Sequence, residues 1–507
     1  MERIVGSREM KDLDAFTIHE KGMPSLVLME RAAMAVKEEL EKSFDLDRVL
    51  VVCGSGNNGG DGIAAARMLH LAGIRAEIFL AGKKESFTEE TGIQWKIAEN
   101  YGVPVVKNPR VSEYTTIVDA VFGVGLSRRI QGHYGEILER LDASGVPVLA
   151  VDIPSGIHGS TGQVMGTALH ARQTVTFGFT KTGLLLYPGA EYAGQITVRD
   201  VGIYENTQGE DSGKMFRLTE KELGWIPPRV PWGNKGTFGK VLVAAGSRNM
   251  CGAAYFAGKA SLLAGAGMVR IFTPECNRLI LQQLLPEAML TTYREEESPQ
   301  QLTRLLEQAE EWADVTVAGP GLGLGEAART IVRRLLEGRQ KPLVLDADGL
   351  NALAGHTELL KYLERPLILT PHMGEMCRLS GRSMEELKAD PVECLERFAS
   401  GYPLQCILKD ARTITRTENG TFYLNTRGNS GMATAGSGDV LAGIAGGLLA
   451  LGIPPCKAAP LAVDLHARAG DLAAKRRGFS ALTASDLLEG EAEVFRLLER
   501  TGMTDSR

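Results

Sequence analysis

Residues 436–439, Gly-Ser-Gly-Asp, are where residue types and spacing in this 507-residue chain most directly suggest chemistry. They lie within GNSGMATAGSGDVLAG (428–443), a Gly/Ser loop running into an apolar stretch whose pattern predicts a helix from Gly438 to Ala450. A helix start offers unpaired N–H groups and a partial positive charge, and glycine lets an anion approach the backbone closely. Gly436, Ser437 and Gly438 therefore suit a phosphate. Asp439 has two readings. A carboxylate in the first turn suits the helix dipole by itself; beside a bound phosphate it would instead take a proton from a hydroxyl attacking that phosphate.

A second glycine loop, GSGNNGGDG (54–62), follows the apolar RVLVVC (48–53) and precedes the helical IAAARMLHLAG. Gly54, Gly56 and Gly59 satisfy GxGxxG, and Glu77 is expected at the end of the next strand, as a dinucleotide fingerprint wants. Asn57, Asn58 and Asp61 point elsewhere, because a backbone cradle for pyrophosphate needs none of them. They suit a cation, an amide or a sugar, and an Asx-rich structural turn is the plain alternative. Asp119 in TTIVDAVFGVGL and Asp152 in VPVLAVDIPSG, with Ser155 beside it, end two further expected strands. If they meet the Asn57–Asn58 loop, the pocket is rich in oxygen and amide groups and fits a hard cation. Each aspartate could equally cap a helix. The Gly-rich FGVGLSRRIQG (122–132) belongs near the same edge.

The elements that must hold these residues alternate strand and helix. Residues 7–40 read as two helices broken at Gly22 and Pro24; strands follow at 76–80, 115–122, 147–152, 173–178 and 194–199, with Lys181 in a turn-like TKTG. The polar stretch 204–216 marks a boundary, after which the pattern restarts at GKVLVAAGS (239–247). Later strand ends carry VAGPGLG, then Asp346, Asp348 and Asn351, then His372 and Glu375, then Lys409. Asn419–Gly420 makes a hairpin turn, and helices at 456–474 and 483–498 close the chain. His372 reads as a core or capping histidine or as a substrate contact, and Lys409 as a solvated lysine or a phosphate partner. The expected fold class is α/β, with domains at 1–210 and 228–502 joined by a linker at 211–227.

Composition excludes several classes. The net charge is −6 and the basic pairs are scattered, which argues against nucleic acid as a partner. Seven cysteines without a CxxC read as buried thiols in a reducing cytoplasm, and no stretch reads as a signal peptide or membrane span, so a cytoplasmic location is expected. There is no GxxxxGK[ST], GxSxG or HExxH.

Through CGSGNNGGDG, VDAVFGVGL and VDIPSG, the first half resembles the epimerase domain of bifunctional NAD(P)H-hydrate repair enzymes. Through GKVLVAAGS, GPGLG, VLDADGLN, LTPHMGE and GMATAGSGDVLAG, the second resembles their NAD(P)HX dehydratase domain. The resemblance implies a Rossmann-like three-layer domain followed by a ribokinase-like one, and an enzyme that interconverts the R and S epimers of NADHX and NADPHX. It implies ADP-dependent dehydration of the S epimer, or ATP-dependent in eukaryotic relatives, with release of AMP and phosphate and a magnesium ion expected with the nucleotide. By position it implies substrate contacts at Asn57, Asn58, Gly59, Gly60, Asp61, Gly123, Val124, Gly125, Leu126, Ser127, Arg128, Arg129 and Asp152 in the first domain. It implies a potassium ion at Asn58, Asp119 and Ser155, with Asp119 as the acid/base and Asp152 as runner-up. In the second domain it implies substrate contacts at Ala253, Gly321, Gly323 and His372, nucleotide contacts at Lys409, Asp410, Ala411, Arg412 and Thr413, the phosphate loop Gly436–Gly438, and Asp439 as the catalytic base. The sequence departs from the family pattern at Met373 (usually proline), at Asp410 (usually glycine) and at Arg129 (often glycine). A homo-oligomer is expected. The alternative activity is that of a ribokinase-like small-molecule kinase fused to a nucleotide-binding domain.

Overall fold

A computed structural model of the chain describes residues 1–205, 213–338 and 340–500. The chain divides into two compact units, Arg3–Glu210 and Met1–Glu2 with Asp211–Arg507. The expected borders at 210/211 and at 502 lie outside the described residues.

In the first unit seven strands form one parallel sheet. In spatial order they are Val105–Val106, Ala76–Leu80, Val49–Cys53, Thr116–Ala120, Val148–Val151, Gln173–Phe177 and Gln195–Arg199. Strand Val49–Cys53 is apolar throughout because both its faces are covered. Val49, Val51 and Cys53 join a core with Ala32, Ile63 and Trp95 of the helices Ser25–Ser43, Asn57–Leu71 and Glu89–Asn100. Leu50 and Val52 face Ile137 and Leu138 of His133–Asp142. The chain leaves Val49–Cys53 toward Ala76–Leu80 on one side and returns to Thr116–Ala120 on the other. The reversal makes a crevice beyond the carboxyl ends of those two strands.

The second unit repeats the arrangement. Its parallel strands run Met289–Tyr293, Met268–Pro274, Lys240–Ala244, Val315–Ala318, Leu343–Leu345, Leu367–Leu369 and Leu404–Leu408, extended by the antiparallel Ile414–Arg416 and Phe422–Leu424. The order reverses between Lys240–Ala244 and Val315–Ala318. Helix Ser437–Ala450 packs closely on Cys251–Leu263 because its contact residues lack side chains. A Cβ at Gly443 would stand 2.4 Å from Ala257 O, and one at Gly447 2.5 Å from Ala264 Cβ. Part of the segment expected as a linker is structured: Met215–Arg217 pairs in parallel with Phe422–Leu424, and a 3₁₀ turn at Glu220–Trp225 follows. Among the described residues no helix is long and apolar enough to cross a membrane.

Candidate functional sites at two sheet edges

At the switch point of the first unit, the loops after Val49–Cys53 and Thr116–Ala120 touch. A Cβ on Gly54 would lie 2.1 Å from Val121 O, so only glycine allows the approach. Beside them opens a cavity of about 790 Å³. Asn57, Asn58, Asp61, Gly123, Val124, Gly125, Leu126, Ser127, Arg128, Arg129 and Asp152 all line it, with the two arginines exposed.

Two of the expected contacts do not line it. Gly59 and Gly60 begin the helix and serve packing: a Cβ on Gly59 would lie 2.1 Å from Gly54 O, and one on Gly60 2.6 Å from Met29 Cε. Asp119 also sits behind the cavity wall, 0% exposed. Its carboxylate accepts from Ser155 N (2.7 Å), Ser155 Oγ (2.6 Å) and Val121 N (3.3 Å), and burial raises its pKa to about 6. The residue expected as the acid/base is thus held by Ser155 and Val121 and does not line the cavity. Glu77 lies at the start of its strand, away from the loop edge, paired with Arg48 and Tyr114. The dinucleotide-fingerprint reading of GxGxxG therefore fails here.

Asp152 does face the cavity, from a left-handed backbone (φ 66°) that a non-glycine residue holds only under strain. Lys181, 1% exposed, lies 2.7 Å from Asp152 Oδ1 and donates to Thr176 Oγ1 (2.9 Å) and Phe177 O (2.8 Å). Asp14, from helix Ser7–His19, lines the same cavity, and burial raises its pKa to about 6, with Lys181 lowering and Asp152 raising it. Burial, then Asp152 and Asp14, raises Asp61 well above the carboxylate range. Sequence reading missed Asp14 and the role of Lys181. The available signal was Asp14 interrupting the apolar stripe Met10–Asp14–Ile18 at helical spacing, all three of which line the cavity.

In the second unit Gly246 N donates to Pro320 O (2.8 Å) across the switch point. A Cβ on Gly321 would sit 2.8 Å from Ala253 Cβ, so these two expected contacts are neighbours, and Gly323 N donates to Asp348 Oδ2 at 2.7 Å. Lys409, just past its strand, is ion-paired to Asp346 Oδ1 at 2.6 Å. Gly436 is left-handed (φ 90°), and a Cβ there would meet Phe256 at 2.8 Å. Ser437 Oγ lies 3.3 Å from His466 Nε2, and desolvation, aided by Lys409, lowers the imidazole to about 4. His466 is neutral at physiological pH; nothing in the sequence tied it to Ser437.

Asp439 occupies the first turn of Ser437–Ala450. Its pKa is raised to about 7, chiefly by desolvation and then by Asp346; Lys409 opposes and Asp348 adds. The group is poised to exchange protons near neutrality. His372 caps Met373–Ser380: its Nδ1 accepts from Gly374 N and Glu375 N, while Glu375 accepts from His372 N. Met373 is thus at the first helical position, where proline is favoured but not required. His372 also bridges to Lys409. Residues 409–413 form the turn before Ile414–Arg416; Asp410 is exposed, Thr413 Oγ1 donates to its carbonyl, and Arg412 donates to Thr426 O. Next to Thr426, a cavity of about 550 Å³ is lined by Thr415, Asn425, Arg427 and Asp464 among others.

Two doubly wound units, one with a carboxylate-lined crevice and one with a glycine anion loop, lysine and acid at its sheet edge, define a two-domain α/β enzyme. A family model described as NAD(P)H-hydrate dehydratase matches residues 241–491, and one described as YjeF-related protein N-terminus matches 25–183. The bifunctional NAD(P)H-hydrate repair enzyme Nnr of Thermofilum pendens is 38% identical over 510 residues, covering 97% of this chain and 95% of the relative. An NAD(P)H-hydrate epimerase of Oenococcus oeni is 50% identical over 204 residues, 40% of this chain and 97% of that protein. A ribokinase-like superfamily protein of Enterococcus faecalis superposes with a TM-score of 0.50 at 29% identity, covering 58% of this chain and 99% of its own. The chain belongs to the bifunctional NAD(P)H-hydrate repair enzyme family, with a Rossmann-like first domain and a ribokinase-like second.

Proposed function

We infer that this protein repairs hydrated nicotinamide cofactors, epimerising NADHX and NADPHX in the first domain and dehydrating the S epimer in the second at the expense of ADP. The observation that carries the second activity is Asp439, a half-buried carboxylate in the first turn of the helix that follows the glycine anion loop, its pKa raised to about 7 by desolvation and by Asp346. The loop N–H groups stabilise the transferring phosphoryl group, Lys409 neutralises charge on it, and Asp439 takes the proton of the substrate hydroxyl that attacks it. Phosphate then leaves the activated carbon with its bonding pair, the neighbouring ring carbon gives up a proton, and the pair left behind closes the double bond that restores the dihydropyridine ring, leaving AMP and phosphate.

In the first domain, Arg128 and Arg129 at the rim suit the substrate's phosphates, and the Asn57–Asp61 segment suits its amide and sugar. The set Asn58, Asp119 and Ser155 supplies only oxygen ligands with one formal charge, and among the described residues no cationic side chain is paired with the buried Asp119 carboxylate. These residues fit a potassium ion, which would neutralise Asp119 and stiffen the loop through Phe122, whose N–H donates to Ser155 Oγ. Among the described residues no three His, Cys, Asp or Glu side chains group to hold a metal. Magnesium, on this reading, arrives with the nucleotide and keeps phosphate and water ligands. The acid/base work falls to cavity-lining carboxylates, and the compartment is the cytoplasm.

The test is incubation of mixed NADHX epimers with ADP, following recovery of the dihydronicotinamide absorbance. Wild type restores it and Asp439→Asn does not. Recovery independent of nucleotide, or unchanged by the substitution, contradicts the dehydratase reading.

A further inference from the structure

In the N-terminal cavity three carboxylates, Asp14, Asp61 and Asp152, face one buried cation, Lys181. The three protons of Lys181 are directed at Asp152 Oδ1, Thr176 Oγ1 and Phe177 O, and Asp152 accepts in addition from Val124 N at 3.2 Å. Lys181 and Asp152 are therefore locked to each other. Asp14 and Asp61 come from different helices, Ser7–His19 and Asn57–Leu71, and neither carboxyl group has a hydrogen-bond partner among the described residues. Partly desolvating two unpartnered acids that repel each other across one cavity costs stability, and such a cost at a cavity wall marks a working site.

We propose that Asp14 is a catalytic residue of the first domain, exchanging a proton with the substrate hydroxyl in partnership with Asp61. The proposal rests on the epimerase reading above, under which the substrate carries a hydroxyl on a ring carbon bonded to nitrogen. Inverting that carbon breaks the C–O bond and remakes it on the opposite face. One carboxylic acid gives its proton to the departing hydroxyl, which leaves as water with the bonding pair, while the nitrogen lone pair closes a C=N bond. Water then adds to the other face, the electron pair returns to nitrogen, and the surplus proton passes to the other carboxylate. The balance needs one acid and one base and no oxidant. Two carboxyls free of protein partners on one cavity supply both. Lys11, Arg128 and Arg129 are the other charged groups lining the cavity.

The experiment uses the full chain with both epimers and ADP. Wild type converts the whole mixture. Asp14→Asn consumes the S epimer at the wild-type rate, which shows that the protein is folded, and leaves the R epimer, its epimerisation slowed roughly 10²-fold or more. Asp14→Glu recovers part of the loss, and Asp14→Asn raises the thermal midpoint at neutral pH because the desolvation cost of the Asp14 charge, which outweighs its attraction to Lys181, is gone. Epimerisation by Asp14→Asn within about twofold of wild type overturns the role of Asp14 alone. Failure of wild type to convert the R epimer overturns the epimerase reading and the proposal with it.

Discussion

Lys409 Nζ lies 2.6 Å from Asp346 Oδ1, and the pair rests directly on Gly438, whose Cβ, if present, would stand 3.3 Å from the ammonium and 3.5 Å from Asp346 Oδ2. The cation that would otherwise depress Asp439 is thereby shared with Asp346, while Asp346 itself repels Asp439. Desolvation, the larger cause, and this division of charge together give a base matched to neutral pH, built from three strand or helix ends.

The dehydration rate should rise with pH through about 7 as Asp439 loses its proton, measured as kcat with saturating ADP. Asp346→Asn removes a repelling charge and releases Lys409 to act on Asp439, so the rising limb moves to lower pH. A limb that stays in place separates Asp346 from the base.

Asp439→Asn should lower kcat by roughly 10²- to 10⁴-fold while ADP still binds, as calorimetry would report. The same substitution stabilises the protein above neutrality. A carboxyl whose folded pKa is raised contributes stability below its unfolded value near 3.8 and loses it as pH climbs toward about 7, and asparagine has no such loss.

Gly438→Ala places a methyl group against the Lys409–Asp346 pair. Expected is a rise in KM for ADP together with a fall in kcat, with a small change in melting temperature. Wild-type kinetics would show that the close approach has no function.

Glu491 is 0% exposed, neither carboxyl oxygen has a hydrogen-bond partner among the described residues, and burial holds its pKa well above the usual value. Its favourable contribution, present below about pH 4.5, is lost as pH rises toward the folded value. Glu491→Gln should flatten the decline of stability with pH, read as thermal midpoints across acid to neutral buffers.

The sequence made legible what is local. Asp439 sits one turn into a helix whose glycine loop and apolar run are adjacent in the chain, and the strand-loop-helix at 48–71 reads the same way. What it left obscure depends on contacts between distant segments. Asp119 looks like a strand-end acid until Ser155, 36 residues on, turns its carboxylate inward. Gly59 and Gly60 look like ligand-facing glycines, yet Gly54 and Met29 occupy the space their side chains would need. Met215–Arg217, inside a polar stretch, becomes a strand only by pairing with Phe422–Leu424. Asp14 reads as one charged position on an amphipathic helix because its cavity is closed by residues more than forty positions later. Asp410, a departure that places a charge beside the expected nucleotide, is exposed on an ordinary backbone, so its position does not require glycine.

The central claim is that the Asp439 site eliminates water from a hydrated cofactor through a transient phosphoryl intermediate. The direct measurement is the stoichiometry of dihydronicotinamide, AMP and phosphate released from the S epimer and ADP by the full-length protein. Equal amounts of all three, appearing together, are the predicted result; AMP formed with a stable phosphorylated product and no phosphate would contradict it and make the second domain a kinase.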